Sequence, residues 1–181
     1  ICLGALAAAL PNGNVMVFGG SINGTATEST LLYDVTNNSW SYFAAHIPTP
    51  FKFGADIVTL NDGRIVIAGG AYQDNTCMSA IQIFDPATGI FGTSYSMSVR
   101  RCDLTIELLS SGKVLVIGGR DGYQSFNPIW SSVEVFDPTT HRSQIQANLM
   151  SSGRTQQSSA VLGDGRVLII DGGAADQIFT E

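Results

Sequence analysis

Apolar residues in this chain gather into short β-branched runs closed by glycine, without the i, i+3, i+4, i+7 recurrence of an amphipathic helix. Val15–Phe18, Ile65–Ala68, Val114–Ile117 and Val167–Ile170 are four such runs. A small, apolar segment precedes each run, separated from it by Asn12-Gly13, Asp62-Gly63, Ser111-Gly112 or Asp164-Gly165. Pairs of that kind supply the positive φ of a tight hairpin. The pattern therefore predicts a first strand within 4–10, 54–60, 104–109 and 158–162 that turns directly into the β-branched second strand. After a variable loop, Leu31–Tyr33, Ile81–Phe84 and Val133–Phe136 read as third strands. Asp34-Val35-Thr36, Asp85-Pro86 and Asp137-Pro138 then turn the chain into fourth strands near Trp40, Phe91 and Arg142. Every expected element is a strand.

The runs are copies of one unit. The hairpin glycines Gly13, Gly63, Gly112 and Gly165 are spaced by 50, 49 and 53 residues. Each second strand ends in a pair: Gly19-Gly20, Gly69-Gly70, Gly118-Gly119 and, with a substitution, Asp171-Gly172. Asp tolerates the left-handed region better than most residues, so Asp171 is compatible with the same turn. An aromatic-Asp pair follows in the first three copies (Tyr33-Asp34, Phe84-Asp85, Phe136-Asp137). Trp40 and Phe91 lie seven residues beyond that aromatic, where the third copy has Ser143. Four strands per period of about 50 residues describe a propeller blade.

The Asp-Gly-Arg-Val-Leu strand ending in Gly-Gly, the Phe-Asp-Pro-x-Thr turn and the aromatic seven residues on resemble the Kelch repeat. The Asp-Gly-Arg wording is similar to the Kelch-like units of the galactose oxidase family. The resemblance spans the whole chain. It implies an all-β fold, a β-propeller of four-stranded antiparallel Kelch-type blades, of which about three and a half are present. Blade 1 is expected over about 2–46, blade 2 over 52–95, blade 3 over 102–147 and an incomplete blade 4 over 155–181. Propellers close with about 4–8 blades, and open blade edges invite pairing. The chain, starting at Ile1 and stopping at Glu181, is therefore expected to be a piece of a longer one, with the remaining blades as its neighbours. Residues 1–10 could pass for the core of a secretory signal, but they align with 52–60 and read as a blade strand.

Composition narrows the function. The chain is 44% apolar and only 13% charged, with a net charge of −6. This excludes a disordered chain and a general nucleic-acid binder. Its longest apolar run, 1–10, is too short to span a bilayer. Scarce lysine (Lys52, Lys113) and Ser/Thr-rich loops lean towards an extracellular or cell-surface setting over a cytoplasmic one. Three cysteines make no dense disulfide framework. Cys77 and Cys102 are a candidate pair on one face, and Cys2 reads as a buried strand residue. Asn23 and Asn37 begin candidate N-glycosylation sequons.

The loops after Gly-Gly and the connectors between blades share one face in a Kelch-like blade, and variable loops on a rigid scaffold are where binding usually lives. The candidate contacts there are Lys52, Tyr72, Arg100, Arg101, Arg120, Tyr123, Trp130 and Arg154, with Asp121, Gln124 and Phe126 beside them. Arginines suit bidentate capture of carboxylates, and in the Kelch adaptors of ubiquitin ligases such arginines bind acidic peptides. The competing expectation is that these arginines bond carbonyls or acids of the next blade, such as Asp56 or Asp103. A galactose-oxidase-like copper site would need two histidines and a Tyr–Cys cross-link. Here His46 and His141 fall on opposite faces, and Tyr72, Tyr95 and Tyr123 carry no marking spacing. Asp74 with Asn75, or Asp171 with Asp176, are too sparse to assign calcium. No nucleotide fingerprint or nucleophile elbow is present. No catalytic residue, metal or cofactor is therefore assigned. The expected function is a non-catalytic protein-binding or scaffolding propeller. Its rivals are part of a copper oxidase, an intracellular adaptor, and a structural repeat in a larger extracellular assembly.

Overall fold

The computed structural model describes residues 2–124, 127–146, 150–172 and 177–179, and every regular element among them is a strand. Among the described residues the strands form five antiparallel sheets, four of which are the blades, numbered here 1 to 4, and the fifth a small sheet beside blade 1. Blade 1 is Leu6–Ala9, Val15–Phe18, Thr30–Asp34 and Ser39–Phe43. Blade 2 is Ala55–Thr59, Ile65–Gly69, Met78–Asp85 and the short Ile90–Phe91, with Tyr95–Arg101 also running along Met78–Asp85. Blade 3 is Thr105–Leu108, Val114–Ile117, Val133–Asp137 and Arg142–Ile145. Blade 4 contributes Ser158–Val161, Val167–Ile170 and Gln177–Phe179.

Local chemistry repeats with the fold. In all four hairpins the turn glycine donates its N–H to the leucine three residues back, as Gly63 does to Leu60 at 2.9 Å. In the turn between third and fourth strands the aspartate side chain takes over: Asp137 Oδ1 accepts the N–H of Thr139 at 2.8 Å and Thr140 at 3.2 Å. These amides hold the Asp137 carboxyl below its ordinary pKa, and Asn37 does the same for Asp34. The first residue of each Gly-Gly pair has φ between 58° and 65°, and Asp171 takes 61° in the fourth copy.

Two stretches differ from the sequence expectation. Tyr95–Arg101, expected as the connector after blade 2, is a strand of that blade's sheet. The first strand of blade 1 does not run from residue 4; the chain bends at Gly4, φ 71°. Cys2–Leu3 peels away to pair with Ser21–Ile22, which itself pairs with Thr25–Ala26. A side chain at residue 4 would lie 2.7 Å from the Lys52 carbonyl, so only glycine permits this bend.

The core lies in the seams between blades. Ile65 and Ile67 face blade 1, packing with Met16, Phe18, Phe51 and Phe84. Their alternate neighbours Val66 and Ala68 face blade 3, with Leu104, Val114, Val116 and Phe136. Leu115, Ile117, Val133, Val167 and Ile169 fill the third seam. Both faces of a middle blade are covered, which is why the second strands read as unbroken apolar runs rather than alternating ones. Each such side chain stabilises the fold by about 1.5–3 kcal/mol when fully buried.

Candidate functional site

The loop side of the seam between blades 2 and 3 gathers most of the candidate residues, and the backbone there is tightly held. The loop after Gly70 closes on itself, Tyr72 N–H donating to the Thr76 carbonyl at 2.8 Å. Cys77, next along, is disulfide-bonded to Cys102, with Cα atoms 5.3 Å apart. Both half-cystines are buried. Cys102 in turn pairs with Arg120 through both backbone hydrogen bonds, so the loop of blade 2 is tied to that of blade 3.

On this support stands a polar surface. Arg120 Nε lies 3.1 Å from Asp103 Oδ2 and 3.1 Å from Thr155 Oγ1, and its guanidinium sits 5.0 Å above the Tyr123 ring. The Tyr123 hydroxyl donates to Asp103 Oδ1 at 2.9 Å. Burial and the neighbouring Asp103 charge push the Tyr123 pKa upward, so this phenol stays protonated. Arg100 Nε reaches Asp121 at 3.0 Å with its side chain 58% exposed. The indole of Trp130 donates to the Arg100 carbonyl at 3.0 Å. Lys52, nearer blade 1, meets Asn75 at 3.4 Å. Arg100, Arg120, Tyr123 and Trp130 thus form one surface across the seam, flanked by Lys52 and Tyr72.

Two of the candidate arginines are not part of it. Arg101 and Arg154 expose no surface. Arg101 donates from Nε and Nη2 to Glu134 Oε1 at 3.1 and 2.9 Å. It also donates from Nη1 to the carbonyls of Gly118 and Ser132 and from Nη2 to the Ser132 hydroxyl. The other oxygen of Glu134 accepts from Ser98 N–H and the Ser143 hydroxyl. Desolvation pulls the Arg101 pKa down while the Glu134 charge opposes it, and the guanidinium stays protonated. Arg154 donates to the Asp171 carbonyl at 2.6 Å, at the repeat position of Gly118. The two buried arginines are therefore inter-blade fasteners, as the competing expectation had it, although Arg101 bonds Glu134 rather than Asp56 or Asp103.

Asp56 instead accepts the Ile106 N–H at 2.8 Å and joins the first strands of blades 2 and 3; burial raises its pKa. His46 is exposed beside Glu28 at 3.7 Å, whereas His141 stacks on Tyr95, ring centroids 4.3 Å apart, at the Asp137 turn. Among the described residues no group of three or more His, Cys, Asp or Glu is arranged to hold a metal. Asn23 is exposed in the two-residue turn between Ser21–Ile22 and Thr25–Ala26, and Asn37 donates its side-chain amide to Asp34. Phe126 and Asp176 lie outside the described residues, and Cys2 is described only as a strand residue.

Sequence reasoning passed over Glu134 and Gln82, and noted Ser143 only as the position of a missing aromatic. The signal for Arg101 was present nonetheless. Tyr95, Met97 and Val99 alternate as apolar positions, which places 101 inward and 100 outward.

Comparison with known proteins gives a consistent picture. A family model described as the Kelch motif matches residues 110–150. An F-box/kelch-repeat protein of Arabidopsis thaliana is 28% identical over 130 residues, covering 66% of this chain and 32% of its own length. Kelch-like protein 35 of Mus musculus is 29% identical over 141 residues, covering 76% of this chain and 22% of its own length. The chain therefore spans only about a third and about a fifth of the length of these curated relatives. The solved structure of YjhT superposes with a TM-score of 0.73 at 18% identity, covering 91% of this chain and 57% of that one. At that identity the likeness concerns the fold.

Proposed function

We propose that this chain, whose fold is a Kelch-type β-propeller, acts as a non-catalytic docking module whose loop face at the blade 2–3 seam receives a protein partner. The observation that carries this reading is the surface of Arg100, Arg120, Tyr123 and Trp130 on a backbone fixed by the Cys77–Cys102 bond. Arginine and aromatic residues on a pre-organised surface are the usual energetic anchors of interfaces. One relative named for an F-box with kelch repeats, and another named Kelch-like, support a role in protein interaction. A photo-crosslinking residue placed at position 130 in cells of the source organism should give a discrete protein adduct, while one at Asp164, in a tight turn, should not. Equal labelling from both positions, or none from 130, would remove the proposal.

A second reading concerns blade 1. Tyr33 and Trp40 pack on each other at 4.9 Å, and Trp40 is 60% exposed. Their counterparts in blade 2, Phe84 and Phe91, pack against Phe18 of the preceding blade. That equivalence supports a further blade seated on the open face of blade 1. The chain has two tryptophans, so Trp130→Phe isolates Trp40 for acrylamide quenching in the natural protein. A shielded indole supports the docked blade and a freely quenched one rejects it. The buried disulfide and the exposed Asn23 sequon support an oxidising, extracellular setting.

A further inference from the structure

Blade 2 departs from its sister blades at one place. In blades 1 and 3 the fourth strand pairs continuously with the third, Thr30–Asp34 with Ser39–Phe43 and Glu134–Asp137 with Arg142–Ile145. In blade 2 the outer chain pairs Ser96 with Ala80 and then Arg101 with Met78. Four residues, Met97 to Arg100, thus oppose Ser79 alone, and the pairing opens into a bulge. Bulges re-aim side chains and are over-represented beside functional sites.

The bulge borders a cavity of about 300 Å³ at the loop-side rim of the blade, the size at which small-ligand sites begin. Thr49, Tyr72, Ser79, Ser94, Ser96 and Arg100 contribute its polar lining. Its walls are fixed on three sides. The Gln82 amide clamps the Thr49 backbone with two hydrogen bonds, of 2.8 and 2.9 Å. The disulfide holds Cys77 at the cavity wall. The turn from Tyr72 to Thr76 is closed by its own backbone bonds.

Two features define what would fit. Among the described residues, the hydroxyls of Thr49, Tyr72, Ser79, Ser94 and Ser96 have no hydrogen-bond partner in the protein. They present a group of donors and acceptors available to a ligand. Among the described residues the cavity also carries no unbalanced charge: no carboxylate lines it, and the cation that does, Arg100, is paired with Asp121. An anion would have to displace Asp121, while a ligand rich in hydroxyls would meet hydroxyls without that exchange. The Tyr72 ring, 44% exposed, offers an apolar face beside them. The geometry points to a binding site for a neutral polyhydroxylated ligand, a single saccharide residue, at the rim of blade 2. This goes beyond the protein-docking proposal and does not depend on it.

Saturation-transfer NMR and calorimetry on the purified protein decide the matter, using methyl glycosides of glucose, galactose, mannose and N-acetylglucosamine, with sodium phosphate and sodium acetate as anionic probes. At least one glycoside should bind with a Kd of millimolar order, about −4 kcal/mol. Tyr72→Ala, and Ser96→Trp to fill the cavity, should each weaken that binding by at least about tenfold. Tyr42→Ala removes an aromatic that is 82% exposed on blade 1 and should leave it unchanged. All three positions are partly or fully exposed, so thermal unfolding should verify an intact fold. The site is refuted if no glycoside binds, if binding survives both cavity variants, or if only the anions bind.

Discussion

The seam between blades 1 and 2 and the seam between blades 2 and 3 solve one problem with opposite chemistry. At the connector position facing the Gly-Gly pair of the next blade, the first seam uses Phe51 and the second uses Arg101. On the third strand, at the position that reaches back to the connector, the first has Gln82 and the second Glu134. On the fourth strand, Phe91 packs on Phe84 in the first, while Ser143 donates to Glu134 in the second. What both seams conserve is a third-strand side chain that anchors the incoming connector by its backbone. What varies is the plug beside it, apolar or charged. The difference shows that the blade angle does not demand an ion pair. Once Arg101 is buried, however, Glu134 and Ser143 must accompany it, because a buried charge without its partner is strongly destabilising.

The largest expected effects come from breaking each seam in its own terms. Glu134→Ala leaves a fully buried guanidinium without its acid and should cost about 3–5 kcal/mol. Phe51→Ala opens a cavity in the aromatic seam and should cost about as much, 3–5 kcal/mol. Urea unfolding monitored by circular dichroism measures both. The sharper experiment grafts one solution onto the other: Arg101→Phe with Glu134→Gln should be less destabilised than Glu134→Ala alone. A double variant as unstable as the single would mean that the charged plug is required by the geometry.

Next in size is the covalent tie, which only the second seam has. Cys77 and Cys102 are separated by 25 residues, and closing a loop of that size contributes about 2–4 kcal/mol. Cys102→Ser should lower the urea midpoint accordingly, and should raise hydrogen exchange at Cys77 and Arg120 more than at Ile47 in the first seam. A smaller effect is electrostatic. The Asp34 and Asp137 carboxyls are held below their usual 3.8 by backbone amides. Their stabilisation is present above that pH and is lost as pH falls through their lowered values. Asp56, raised by burial, has the opposite sign: its contribution is complete below 3.8 and is lost as pH rises through its elevated value. The thermal midpoint should therefore fall on acidification, and Asp56→Asn, which acts at the second seam, should steepen that fall.

The fold was legible because its signals are local and repeated: an x-Gly hairpin, a doubly buried second strand and an Asp-capped turn recur with one spacing. The site was only half legible. Which of Arg100 and Arg101 faces solvent follows from strand alternation through Tyr95, Met97 and Val99, a pattern short enough to be read as a connector. Glu134 sits in an apolar third strand, where a lone acid reads as solvent-exposed until the arginine from the previous blade is placed beside it. That contact joins residues 33 positions apart, and strand pairing within a blade does not predict it. The bulge at Ser79 was invisible for a related reason, since register between Met78 and Arg101 is set by tertiary packing rather than by a turn.

Arg100 provides the finest test of the contrast, because it stands one residue from Arg101 and makes an ion pair of similar length. Arg100 reaches Asp121 at 3.0 Å and Arg101 reaches Glu134 at 2.9 Å. Distance alone would rank the two pairs as equals. Solvent separates them: the Arg100 side chain is 58% exposed, so water and salt screen its pair, and exposed pairs contribute about 0–1 kcal/mol. Arg100→Ala should accordingly move the urea midpoint by less than about 1 kcal/mol in stability, and added salt should shrink even that difference. A loss as large as that of Glu134→Ala would mean that Asp121, whose side chain is only 21% exposed, is held as a buried acid. The loop face would then belong with the second seam, as part of the fastening rather than as a surface left over for a partner.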